Sequence, residues 1–182
     1  MSIWSLCRQT WSGHYTVIGN LNEAQCVIGF SFGVVGQKPE VQPGLSNEDL
    51  ASYALEHFVH LPKIFQREVA DAYLCLSPGS QVERINYHRQ PNRYLDTREV
   101  AEQAWGIMEH HGWRTAVLVA HGHHMPRVHA VCQRVGISTV ALPGLEKIRF
   151  CPDSAQRWTR NRQAWFRREV LTILYYRWQG WI

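Results

Sequence analysis

Residues 115–137 read TAVLVAHGHHMPRVHAVCQRVGI, and this stretch decides the fold class. Thr115–Ala120 is apolar throughout, as a central parallel strand covered on both faces must be. Pro126 suits the first turn of a helix, where its missing N–H has no partner to lose. Behind it Val128, Val131, Cys132 and Val135 recur at helical spacing. A second strand is predicted at once, over Ile137–Leu142. Strand, helix and strand in that order build a right-handed crossover on a parallel sheet.

The alternation extends upstream and downstream. Ala24–Phe30 is a short apolar run that reads as a buried strand. Ser31–Leu45 is a loop rich in Gly and Pro (Gly33, Gly36, Pro39, Pro43, Gly44). Ser46 and Asp49 have capping-box spacing for a helix to about Val59. Pro62–Gln66 is read as a strand, Arg67–Leu76 as a helix and Val82–Tyr87 as a strand. Asp96 and Glu99 frame a second capping box. Val100, Ala101, Ala104, Ile107 and Met108 keep helical spacing behind it until Gly112. A last helix over Asp153–Trp178 places Ala155, Trp158, Trp165, Phe166, Val170 and Ile173 on one face. The expected fold is α/β, a three-layer αβα Rossmann-like domain with a mainly parallel sheet. One domain spans residues 1–182, with 1–22 as an N-terminal extension.

Composition agrees with that class. The chain has 182 residues, 45% apolar and 19% charged, with a net charge of +4. Such a chain buries roughly 70% of its unfolded surface and needs no disulfide or metal staple. Its apolar fraction excludes disorder as the main state. No apolar run reaches the ~20 residues of a spanning helix, and the N-terminus lacks a signal pattern. A cytoplasmic location is the expectation. Cys7, Cys26, Cys75, Cys132 and Cys151 form no CxxC pair, which argues against a disulfide framework or a zinc knuckle. Cys26 and Cys132 fall in apolar patterns and read as buried thiols.

Charge gathers at one end. Residues 151–182 hold six Arg and two acids, whereas residues 1–150 are balanced at 13 basic and 13 acidic groups. A solvated helical face is the simplest reading of that segment. Attraction to nucleic acid or anionic lipid is the sharper one, nucleic acid being the less expected partner.

Function should lie in loops that follow strands, because ligands of parallel sheets bind beyond the strand C-termini. The first such loop is Gly29-Phe30-Ser31-Phe32-Gly33. Its glycines let backbone N–H groups approach an anion, although GxGxxG and GK[ST] are absent. The second is His121-Gly122-His123-His124-Met125-Pro126-Arg127. Arginine at a helix start opposes the helix dipole, and an anion beside Arg127 would remove the conflict. His124 is the candidate acid or base. His121 and His123 are candidate ligand contacts. No nearby carboxylate completes a metal set, so no metal is expected. Gln66 and Glu68 follow the second strand and could face a ligand. In the last helix, Arg162 and Glu169 fall on the apolar face, as an internal pair or a pocket lining. A Ser-His-Asp hydrolase has no support, because GxSxG is absent.

The stretch AVLVAHGHHMPRVHAVCQRVGI resembles the YdcF-like family of bacterial domains, which includes the SanA and ElyC envelope proteins. That family shows an apolar strand, a T-S-x-x-H-M-x-R-A-like loop and a helix. His124, Met125, Pro126 and Arg127 match its H-M-x-R core. Thr97-Arg98-Glu99-Val100-Ala101 stands where the family has T-x-E-N-A, with valine for asparagine. Phe65-Gln66-Arg67-Glu68 occupies the place of the family's Ser-Gly-Gly turn. The aromatic C-terminal helix with Glu169 is similar to the family's ending. The resemblance implies a Rossmann-like fold with a pocket above the strand ends, Thr97 and Glu99 among its lining. The family's reaction is not established in general.

Together these readings lead to a small-molecule-binding α/β protein with an anionic, nucleotide-like or phosphorylated ligand. Two alternatives stand beside it. One is a phosphoester or pyrophosphate hydrolase linked to envelope carrier lipids. The other is a non-catalytic interaction module using the last helix, with Trp158, Trp165, Trp178 and Trp181 as a partner face. The sequence names no cofactor, no substrate and no oligomeric state.

Overall fold

Five strands form one sheet in the order β3-β2-β1-β4-β5, every neighbouring pair parallel. They are β1 (Cys26–Gly29), β2 (Lys63–Gln66), β3 (Val82–Ile85), β4 (Thr115–Val119) and β5 (Ser138–Val140). The computed structural model describes residues 2–36 and 41–182; Pro39 of the glycine- and proline-rich loop lies outside them. β1 and β4 are the central pair, in register from Cys26 with Ala116 to Gly29 with Val119. Val27, Ile28, Val117, Leu118 and Val119 have no exposed surface. Covering both faces removes water from these side chains, each worth about 1.5–3 kcal/mol on burial. That is why the strands carry continuous apolar runs rather than alternation.

The helices are α1 (Ile3–Ser12), α2 (Leu45–Phe58), α3 (Arg67–Leu76), α4 (Thr97–His110), α5 (Met125–Val135) and α6 (Arg162–Trp178). α2 packs on α3 and α4 on α5, one pair on each face of the sheet as right-handed crossovers require. The result is the three-layer, Rossmann-like α/β fold.

Several local expectations hold and others change. Asp96 caps α4, its carboxylate accepting from the N–H groups of Arg98 and Glu99 at 2.9 and 3.0 Å. Ser46 does not cap α2. The helix starts one residue earlier behind Gly44, and the Ser46 hydroxyl donates to the Arg149 carbonyl. Asp49 instead binds the Arg149 side chain. β1, β3 and β5 are shorter than the stretches read above as strands. The last helix begins at Arg162, where the Asn161 side chain accepts from Ala164 N–H. Before it, Arg157–Thr159 is a 3-10 turn. Residues 3–12, assigned above to a terminal extension, form α1 against α5 and α6. Cys26 and Cys132 are buried thiols and all five cysteines are unpaired. Among the described residues no helix is long and apolar enough to cross a membrane.

Candidate functional site

At the centre of the sheet the chain leaves β1 toward β2 and leaves β4 toward β5, in opposite directions. The two loops therefore part above the strand ends and leave a crevice between them, the usual ligand position in open parallel sheets. Here it is a cavity of about 330 Å³, reached by Ser31, Phe32 and Gly33 from the β1 loop and by His124 and Arg127 from the β4 loop. Gln66 and Thr97 reach it from β2 and α4, and α6 closes one side.

The β1 loop is held from behind. Ser31 N–H donates to Gln66 Oε1 at 3.1 Å and Ser31 Oγ to Glu68 Oε2 at 2.7 Å. Phe32 N–H donates to Asn47 Oδ1, and Asn47 Nδ2 returns a bond to Gly33 O. Asn47, buried on α2, was not marked by any motif. Gly33 has φ of 77°, and a Cβ there would meet Thr159 Oγ1 at 2.6 Å. Glycine is required both by the left-handed backbone and by the contact. The N–H groups of Ser31 and Phe32 thus serve the fold, in place of the anion cradle expected of this loop.

In the β4 loop, His124 and Met125 N–H both donate to the His121 carbonyl, at 2.7 and 2.9 Å, forming a tight turn. Gly122 lets Gly13 and Leu145 backbone close on it; a Cβ would meet Gly13 O at 2.8 Å. The turn sends its three imidazoles to different places. His121 stacks on Phe32, ring centroids 3.9 Å apart. His123 points to α1, where its Nδ1 bonds Thr10 O at 2.7 Å. Only His124 lines the cavity. His121 and His123, read above as ligand contacts, lie away from it. Among the described residues no group of three His, Cys, Asp or Glu side chains is placed to hold a metal.

Arg127 is buried beside His124. Its Nε and Nη2 donate to the two Glu169 oxygens at 2.6 and 2.9 Å, and Nη1 donates to Thr97 Oγ1 at 2.5 Å. The anion expected beside Arg127 is thus the Glu169 carboxylate, which has no exposed surface. Arg162, the other charge read on the apolar face of α6, lies instead over the Trp11 ring. Burial alone would weaken the Arg127 charge, but Glu169 outweighs it and pushes the guanidinium pKa further up. Of its five N–H donors, two keep no acceptor among the described residues.

Thr97 Oγ1 also lies 3.1 Å from His124 Nε2. It accepts from Arg127 and still has its proton and a second lone pair, so it can bond Nε2 in either tautomer and leaves the other ring nitrogen, Nδ1, to find its own partner. That atom has no partner among the described residues. Burial first, then the charge of Arg127, hold the His124 pKa well below its ordinary value. The ring is neutral at neutral pH.

Other sequence candidates fall outside the cavity. Gly29 lies inside β1, with the Phe65 ring where its Cβ would be. Glu68 backs the β1 loop through Ser31. Glu99 turns to Arg89, whose backbone N–H and Nε reach it at 3.0 and 2.7 Å. Burial works against the Glu99 charge, but those bonds hold its pKa down at about 2. Conversely Tyr94, Trp158, Trp165, Arg168, Tyr175 and Tyr176 line the cavity without having been marked as ligand contacts. Trp165 is buried and donates to His123 O, so it is core rather than partner face. Arg168 lies over the Trp158 ring. The cavity combines two cations (Arg127, Arg168), two carboxylates (Asp96, Glu169), a neutral imidazole and several aromatic rings.

No family model, curated protein or solved structure matches the chain.

Proposed function

We propose that the protein binds a small phosphorylated or nucleotide-like molecule in the cavity above β1 and β4. One observation carries this reading: a concave space at the sheet's topological switch point, lined by aromatic rings and by two arginines. Its volume is at the lower end of small-ligand sites. Arg168 and the two remaining Arg127 donors would hold the anionic part, since planar guanidinium groups suit phosphate oxygens. Trp158, Tyr94 and Tyr175 would stack on a base-like ring. The resemblance of the His124–Arg127 stretch to YdcF-like domains supports a pocket in this place. His124 is the group that would exchange a proton with such a ligand, entering as a neutral ring.

The test is a thermal-shift panel of nucleotides, sugar nucleotides, S-adenosylmethionine and prenyl phosphates. A ligand at about 100 times its Kd stabilises by about 2.7 kcal/mol, a rise of several degrees for a chain this size. Arg168→Ala should erase the rise. A shift that survives Arg168→Ala and Trp158→Ala would place the ligand elsewhere.

A further inference from the structure

α6 is apolar on two sides. Its inner side buries Trp165, Ile173 and Tyr176. Its outer side exposes Leu171 (68%), Leu174 (47%), Tyr175 (47%) and Trp178 (79%). These positions follow the i, i+3, i+4, i+7 spacing and form one stripe along the helix. Arg167 and Arg168 are exposed on that same side, and exposed Arg177 stands at its edge. The single carboxylate of α6, Glu169, is buried against Arg127. The outer face is thus cationic, aromatic and aliphatic, with no α6 acid to balance it.

That combination decides between occupants. Nucleic acid would reward the arginines and aromatic rings but leave Leu171 and Leu174 without a counterpart. A second copy of the chain would bring like-charged arginines together. An anionic bilayer surface meets every part: phosphates for arginine, the headgroup zone for Trp and Tyr, and the acyl boundary for leucine. We infer that the outer face of α6 docks on an anionic lipid surface, lying in its plane. The cavity opens beside this face, because Arg168, Leu171 and Tyr175 also line it. Arg167, Leu174 and Trp178 do not, so surface docking and cavity binding are separable.

The experiment is co-sedimentation of the full chain with phosphatidylcholine vesicles with and without phosphatidylglycerol. Binding should require phosphatidylglycerol and fall steeply as salt screens the charges. Arg167→Gln should lower partitioning about fivefold, and Leu174→Gln with Trp178→Gln about tenfold or more. All variants should keep the wild-type melting temperature and any ligand-induced shift. Four results would overturn the inference: no binding to anionic vesicles at low salt; equal partitioning of the variants; preference for a single-stranded oligonucleotide over the vesicles; or a dimer in solution, abolished by the variants, without vesicle binding.

Discussion

Arg127 and Glu169 lie 42 residues apart and meet side-on, two N–H groups against two carboxylate oxygens at 2.6 and 2.9 Å. The pair joins α5 to α6 beside the cavity and, through Thr97, reaches α4 and His124. Three helices are therefore held by one buried polar network. Such a network positions its members, and breaking its ion pair leaves a buried charge without a partner.

Glu169→Gln removes the charge but keeps the shape, stranding the Arg127 cation. The expected cost is about 3–5 kcal/mol, with Tm falling roughly 2–4 °C per kcal/mol. Replacing both residues, Arg127→Met with Glu169→Leu, should cost less than either single change. Urea denaturation of Glu169→Gln, of Arg127→Met, of Glu169→Leu and of the double variant measures this. Additive costs would mean that the two side chains do not interact.

Acid should unfold the protein early. His121, His123, His124 and His129 all titrate below their ordinary value of 6.5, burial being the first cause in each. Their folded pKa values lie below the unfolded ones, so the unfolded chain binds more protons as pH drops. Stability is complete above about pH 6.5 and declines below it, by about 1.4 kcal/mol per pH unit for each histidine that stays neutral. His124→Gln should flatten that slope by about one proton. Stability that is level between about pH 7 and 5 would contradict the burial of neutral rings.

Gly33 and Gly79 give a matched pair. Both have left-handed φ, 77° and 89°, but a Cβ meets Thr159 Oγ1 and Ser154 Oγ at Gly33 and, among the described residues, nothing within 4 Å at Gly79. Gly79→Ala should cost about 1–2 kcal/mol for the backbone. Gly33→Ala adds an overpacking cost of about 1–3 kcal/mol, and it should weaken ligand binding because Gly33 lines the cavity. Equal costs would mean that the Thr159–Ser154 wall yields freely.

The fold was legible where burial on both faces writes continuous apolar runs. Thr115–Ala120 announced the central strand, and Asp96 announced the start of α4 through its side chain. What stayed hidden depends on contacts distant in sequence. Ser46 has capping spacing, yet its hydroxyl finds the Arg149 carbonyl 103 residues away. His121, His123 and His124 look equivalent in sequence, and a tight turn sends each in a different direction. Arg127 signalled an anion by standing at a helix start, and Glu169 signalled itself by lying on an apolar face. That each was the other's partner could not be read from spacing, because α5 and α6 meet only in the folded chain. The aromatic cavity wall was hidden for the same reason. α6 is apolar on both sides, so its periodicity did not separate Tyr175, which reaches the cavity, from Leu174, which does not.

The central claim is that Arg168 and the aromatic wall hold a phosphorylated or nucleotide-like ligand above β1 and β4. Calorimetric titration of the strongest ligand from the panel into wild type, Arg168→Ala and Trp158→Ala tests it most directly. Loss of a charge-assisted contact should weaken binding by about tenfold or more in Arg168→Ala, with a comparable loss of stacking in Trp158→Ala. Unchanged affinity in both variants would contradict it.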